Sequence, residues 1–76
     1  MTKQTGCTEY YALERGKQLI KEKFPRSYSQ TQPIEIFKEV GYWRISGTLP
    51  PQVAGGVPTV KLHIDTCNLL EISHTQ

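Results

Sequence analysis

Two stretches in the second half of the chain alternate apolar and polar residues, and this period of two constrains the fold most. In Tyr42–Leu49, Trp43, Ile45, Gly47 and Leu49 fall on one face and Tyr42, Arg44, Ser46 and Thr48 on the other. In Val57–Asp65, Val60, Leu62 and Ile64 point one way, Thr59, Lys61 and His63 the other. Strands patterned like this bury one face and leave the other to water. The chain must therefore build a sheet that is covered on one side only.

The cover is encoded upstream. From Thr8 to Phe24, the residues Leu13, Gly16, Ile20 and Phe24 recur at spacings of three and four, flanked by Ala12 and Leu19. That spacing predicts a helix with one apolar stripe. Thr8 can accept an orphan amide hydrogen as N-cap, and Glu9 sits at the positive end of the helix dipole. Lys21 and Lys23 load the other end, and Pro25 stops the helix. Gly16 costs about 1 kcal/mol relative to Ala within a helix, so its presence on the buried stripe predicts close approach to a sheet. Arg26–Gln32, rich in Ser and Gln, is read as a loop.

With 76 residues there is room for one domain, residues 1–76. The predicted fold class is α+β, one N-terminal helix packed on a curved antiparallel sheet of about four strands. The strands are expected near residues 33–38, 42–49, 58–65 and 69–74. Ile34 and Ile36 face opposite to Phe37, which suits an edge strand or a bulge. Val40-Gly41 is a turn.

The last hairpin permits a more detailed expectation. Asp65-Thr66-Cys67-Asn68-Leu69 suits a three-residue loop, with Asn68 in the left-handed conformation. Pairing Asp65 with Leu69 sets Ile64 opposite Leu70, Leu62 opposite Ile72, and His63 opposite Glu71 on the outer face. The expected core is Leu13, Ile20, Phe24, Trp43, Ile45, Leu62, Ile64, Leu70 and Ile72. Between the two alternating strands, Gly47–Pro58 contains three prolines and a Gly-Gly pair. No Lys-Ser/Thr follows at Walker spacing, so a long hairpin connection is preferred to a nucleotide loop. Loops of this length are often functional.

Chemistry is poorly represented. His63 and Cys67 straddle a turn, His74 has the opposite strand parity, and there is no Cys-x-x-Cys, so neither a zinc site nor a Cys–His nucleophile is expected. Asp65 is read as a turn residue, and Glu35 and Glu39 as solvated. No cofactor is expected, and no enzyme. Cys7 and Cys67 are expected to be free thiols, because the chain shows no export signal. Cα atoms within about 7 Å would argue for a bridge instead. The basic residues Arg15, Lys17, Lys21, Lys23 and Arg26 are interleaved with Glu14 and Glu22, which describes a solvated helix face. With a net charge of only +2, nucleic acid is not an expected partner. Nor is a membrane, because no stretch nears the ~18 apolar residues of a span. The expected compartment is the cytoplasm, or the periplasm for a trimmed mature form.

The run Trp43-Arg44-Ile45-Ser46-Gly47-Thr48-Leu49-Pro50, the return Gly55-Gly56-Val57-Pro58, then Ile64-Asp65 and Leu70–His74 resemble small bacterial immunity proteins of polymorphic toxin systems. The resemblance covers roughly residues 8–76, with Asn68 where that family's last turn often has Gly. It implies a reduced cystatin-like or nuclear transport factor 2-like half-cone. It further implies stoichiometric binding to a cognate protein toxin, and transfers no catalytic residues.

The residues expected to meet a partner are Tyr42, Arg44, Lys61, His63 and Glu71 on the outer sheet face, with Pro51, Gln52 and Val53 in the long loop. Tyr and Arg combine large contact area with a polar head. A homodimer is a further candidate assembly. The alternative function is a small-ligand or regulatory module using the concavity between helix and sheet.

Overall fold

A computed structural model describes residues 6–50, 53 and 55–74. Its elements run α1 (Glu9–Lys23), α2 (Pro25–Gln30), β1 (Glu35–Lys38), β2 (Tyr42–Ser46), β3 (Pro58–His63) and β4 (Leu69–His74). The strands form one antiparallel sheet in the order β1-β2-β3-β4. This is the α+β architecture expected from the two periodicities.

Helix α1 begins where its cap is encoded. Thr8 has extended backbone angles, and its Oγ1 accepts the amide hydrogen of Tyr11 at 3.1 Å. Ala12, Gly16 and Ile20 form its buried stripe. A Cβ on Gly16 would stand 2.8 Å from the Ile45 side chain on β2. Glycine is there because the helix lies directly on the sheet.

Pro25 does not introduce a loop. It occupies the first turn of α2, and Phe24 is both the C-cap of α1 and the N-cap of the new helix. Proline's fixed φ and missing amide hydrogen suit a helix start as well as they end the helix before it. The loop expected at Arg26–Gln32 is therefore replaced by a helix over its first five residues. Thr31 then packs into the space left by Gly47, where a Cβ would collide with the Thr31 hydroxyl. The Thr31 hydroxyl donates to the Ser27 carbonyl oxygen at 2.7 Å.

The core joins Ala12 and Ile20 of α1 to Ile34, Trp43, Ile45, Val60, Leu62 and Cys67. The Trp43 indole N–H is buried with no acceptor among the described residues. Leu13, Ile64 and Ile72 pack against this cluster half-buried. Leu70, assigned to the core from the sequence, is instead 54% exposed.

Leu70 is displaced because the last hairpin adopts another register. Leu62 pairs with Leu69, whereas Lys61 pairs with Glu71 and Val60 with Ile72, so the ladder shifts between Lys61 and Leu62 and Leu70 is the extra residue. The turn is closed by Cys67 N–H to the His63 carbonyl at 2.9 Å and His63 N–H to the Asn68 carbonyl at 2.8 Å. Cys67, not Asn68, takes the left-handed conformation, with φ 62°. Cys67 is also held from outside the hairpin. It is disulfide-bonded to Cys7, with Cα atoms 5.2 Å apart, and Arg15 Nε donates to its carbonyl oxygen at 2.9 Å. The expected free thiols are thus a bridge that ties the approach to α1 to the β3–β4 turn.

Candidate binding surface

Both helices lie on the side of the sheet that carries Ile45 and His74, and among the described residues no helix covers the other side. On that outer side, Phe37, Arg44, Lys61 and Glu71 are successive ladder partners, one from each strand. The row crosses the whole sheet. Tyr42 and His63 pair in a second row beside it. Five of the sequence-selected residues, Tyr42, Arg44, Lys61, His63 and Glu71, are therefore on one surface, and the inner-facing Ile36, Ile45, Val60 and Ile72 lie in register on the reverse.

Placing Arg44 directly opposite Lys61 sets two cations side by side, an unfavourable arrangement unless each turns to an anion. Each does. Arg44 Nε donates to Glu39 Oε2 at 2.9 Å, and its guanidinium lies 4.3 Å from the centre of the Phe37 ring. Lys61 Nζ is 3.5 Å from Glu71 Oε1 and 5.3 Å from the centre of the Tyr42 ring. All four charged side chains remain partly exposed. Such exposed pairs contribute at most about 1 kcal/mol each, so a partner can rearrange them at small cost. What they supply is a set of aromatic and charged groups held at defined positions.

Two sequence expectations change here. Glu71 meets Lys61 rather than His63, because the register of the last hairpin differs by two residues. His63 is engaged by its own turn, where its Nδ1 accepts the Asp65 amide hydrogen at 3.1 Å. Glu39, read as merely solvated, is the partner of Arg44. The signal for it was the tight β1–β2 hairpin, which brings residue 39 back beside the start of β2. Phe37 was recognised as facing away from Ile34 and Ile36, but its place beside Arg44 required the strand pairing.

Of the loop candidates, Val53 is described, and it is not part of this surface. Val53 is exposed and lines a groove of about 390 Å³ with Ser27, Leu49 and His74, on the helix side. There Ser27 Oγ and His74 Nε2 are 2.9 Å apart, and the His74 ring stands edge-on to Phe24 at 5.2 Å. Pro51 and Gln52 lie outside the described residues. No group of three or more His, Cys, Asp or Glu among the described residues is arranged to hold a metal ion. No described helix is long and apolar enough to cross a membrane.

No curated protein and no solved structure shows significant similarity to the chain. A family model described as NTF2 fold immunity protein, however, matches residues 11–76, from the first turn of α1 to the end of the chain. That match spans the helix, the sheet and the surface just described, and the chain belongs to the NTF2-fold immunity protein family.

Proposed function

We propose that this protein neutralises a cognate bacterial toxin by stoichiometric binding, and that the outer sheet face is where the toxin docks. The observation that carries the reading is the outer face itself, which no helix covers among the described residues. A sheet one helical layer thick presents Tyr42, Arg44, Lys61, His63 and Glu71 together, in a member of an immunity protein family. Interfaces are anchored by aromatic and arginine side chains held in place before the partner arrives. Charges on such a surface steer encounter and choose between partners. Binding without catalysis suits the composition of this face, where the imidazole of His63 is taken up by its turn. The close seating of α1 on Ile45 counts against a small ligand between helix and sheet. The Cys7–Cys67 bond supports an encounter in an oxidising compartment such as the periplasm.

The test is co-expression with candidate toxins cloned from the native host, followed by growth rescue and measurement of the complex. The wild-type protein is expected to protect cells and form a 1:1 complex. Arg44→Glu is expected to weaken the complex by about tenfold or more while leaving the circular dichroism spectrum unchanged. Unchanged affinity in that variant would remove this face from the interface, and failure to protect would overturn the reading as a whole.

A further inference from the structure

The disulfide builds a second feature, at the end of the sheet where α1 begins. An open cleft of about 500 Å³ is lined by Gly6, Tyr11, Asp65 and Thr66. Gly6 and Thr66 immediately precede Cys7 and Cys67, so the bond between those cysteines holds the two lining segments together, and a Cβ on Gly6 would stand 3.6 Å from the Asp65 carbonyl oxygen. The Asp65 amide hydrogen bonds to His63 Nδ1, and the Asn68 amide hydrogen to Thr66 Oγ1 at 3.2 Å, which together hold the turn in shape. Asp65 is exposed, and its carboxylate makes no ion pair among the described residues. Arg15 Nε donates to the carbonyl oxygen of Cys67 in the same turn at 2.9 Å. Glu9 in the first turn answers the positive end of the α1 dipole, and Asp65 is the charged residue among the described ones that line the cleft. Exposed apolar side chains gather at this same end: Tyr10 on the first turn of α1, Val40 in the β1–β2 turn, and Leu69 and Leu70 after the β3–β4 turn.

We infer that this cleft receives a lysine or arginine side chain of the protein partner, its cationic head against Asp65 and its stem along the Tyr11 ring. A carboxylate beside an aromatic ring recognises both parts of such a side chain, through ion pairing and through packing with cation–π attraction. The inference rests on the toxin-binding reading for its biological partner, but the cleft can be tested without the toxin.

Uniformly 15N-labelled protein, with its disulfide intact, is titrated with N-acetyl-arginine amide and separately with N-acetyl-norleucine amide. The arginine probe is expected to shift the Tyr11, Asp65 and Thr66 amide resonances saturably, and the uncharged probe is not. Asp65→Asn is expected to weaken the arginine response by about three- to fivefold, the loss of one exposed ion pair, with the remaining spectrum superimposable. Equal responses to both probes, or an undiminished response in Asp65→Asn, would overturn the inference. If the toxin complex forms while the arginine probe leaves these resonances unmoved, the cleft proposal falls and the immunity reading stands.

Discussion

The two faces of the sheet are built from the same strands yet depend on different forces. On the inner face, Ile45, Val60 and Leu62 have no exposed surface and are closed over by Ala12, Gly16 and Ile20. On the outer face, the neighbouring residues Arg44 and Lys61 are bridged to Glu39 and Glu71 and stacked near Phe37 and Tyr42, all within reach of water. Burial makes the first face intolerant of change. Solvent screening makes the second permissive, because exposed charge pairs hold little energy. A small protein that binds a partner needs both properties: a core tight enough to keep four short strands in place, and a surface whose side chains can change without loss of fold.

Removing the disulfide tests the inner side most severely. Cys7 and Cys67 are 60 residues apart, and closing a loop of that size restricts the unfolded chain by about 4 kcal/mol in the chain-entropy description. The double variant Cys7→Ser/Cys67→Ser should lose nearly that much in urea denaturation monitored by Trp43 fluorescence; a midpoint equal to the parent's would show the bond to be incidental. Ile45→Ala comes next. It removes a fully buried side chain beneath Gly16 and should cost about 3 kcal/mol, within the range for such truncations. A loss below about 1 kcal/mol would mean that α1 settles into the space and that the helix is less firmly seated than the Gly16 contact implies. The outer face should respond least. In a double-mutant cycle of Lys61→Ala and Glu71→Ala, the coupling energy should be about 0.5 kcal/mol or less and should fall with added salt. A coupling of several times that size would erase the distinction between the faces.

Much of this contrast is written in the sequence, because burial follows period. The alternation of Trp43 and Ile45 with Tyr42 and Arg44 assigned the faces of β2, although Ser46 at its end is buried despite outward parity, and the same rule worked for Val60 and Leu62 against Lys61 and His63 on β3. The Thr8 cap and the close approach at Gly16 were legible for a related reason: each is a local requirement that few residue types can meet. The second helix was less accessible. Pro25 signals both an end and a beginning, and the contacts that hold the short α2, Ser27 with His74, Tyr28 against the core and Thr31 at Gly47, come from distant parts of the chain. The grouping of Tyr42, Arg44, Lys61, His63 and Glu71 on one face was foreseen from parity, whereas the identity of their partners was not. Leu70 illustrates the boundary: its side chain fits an apolar position, but a bulge leaves it in solvent.

By itself the sequence determined which residues of β2 and β3 lie on the inner face, where α1 is capped, and that a single helical layer covers one side of the sheet. These follow from periodicity and local sterics, which need no knowledge of distant residues. Only the tertiary structure decided the register of the last hairpin and the pairing of Cys7 with Cys67. Along most of β4 the observed register differs from the expected one by two residues, and a slip of two returns every side chain to the same face. The hydrophobic pattern cannot distinguish such registers. The choice is made by contacts from elsewhere in the chain: the bond from Cys7 and the hydrogen bond from Arg15 hold Cys67 in the turn. With Cys67 held there, Glu71 comes opposite Lys61 and Asp65 lies open beside Tyr11.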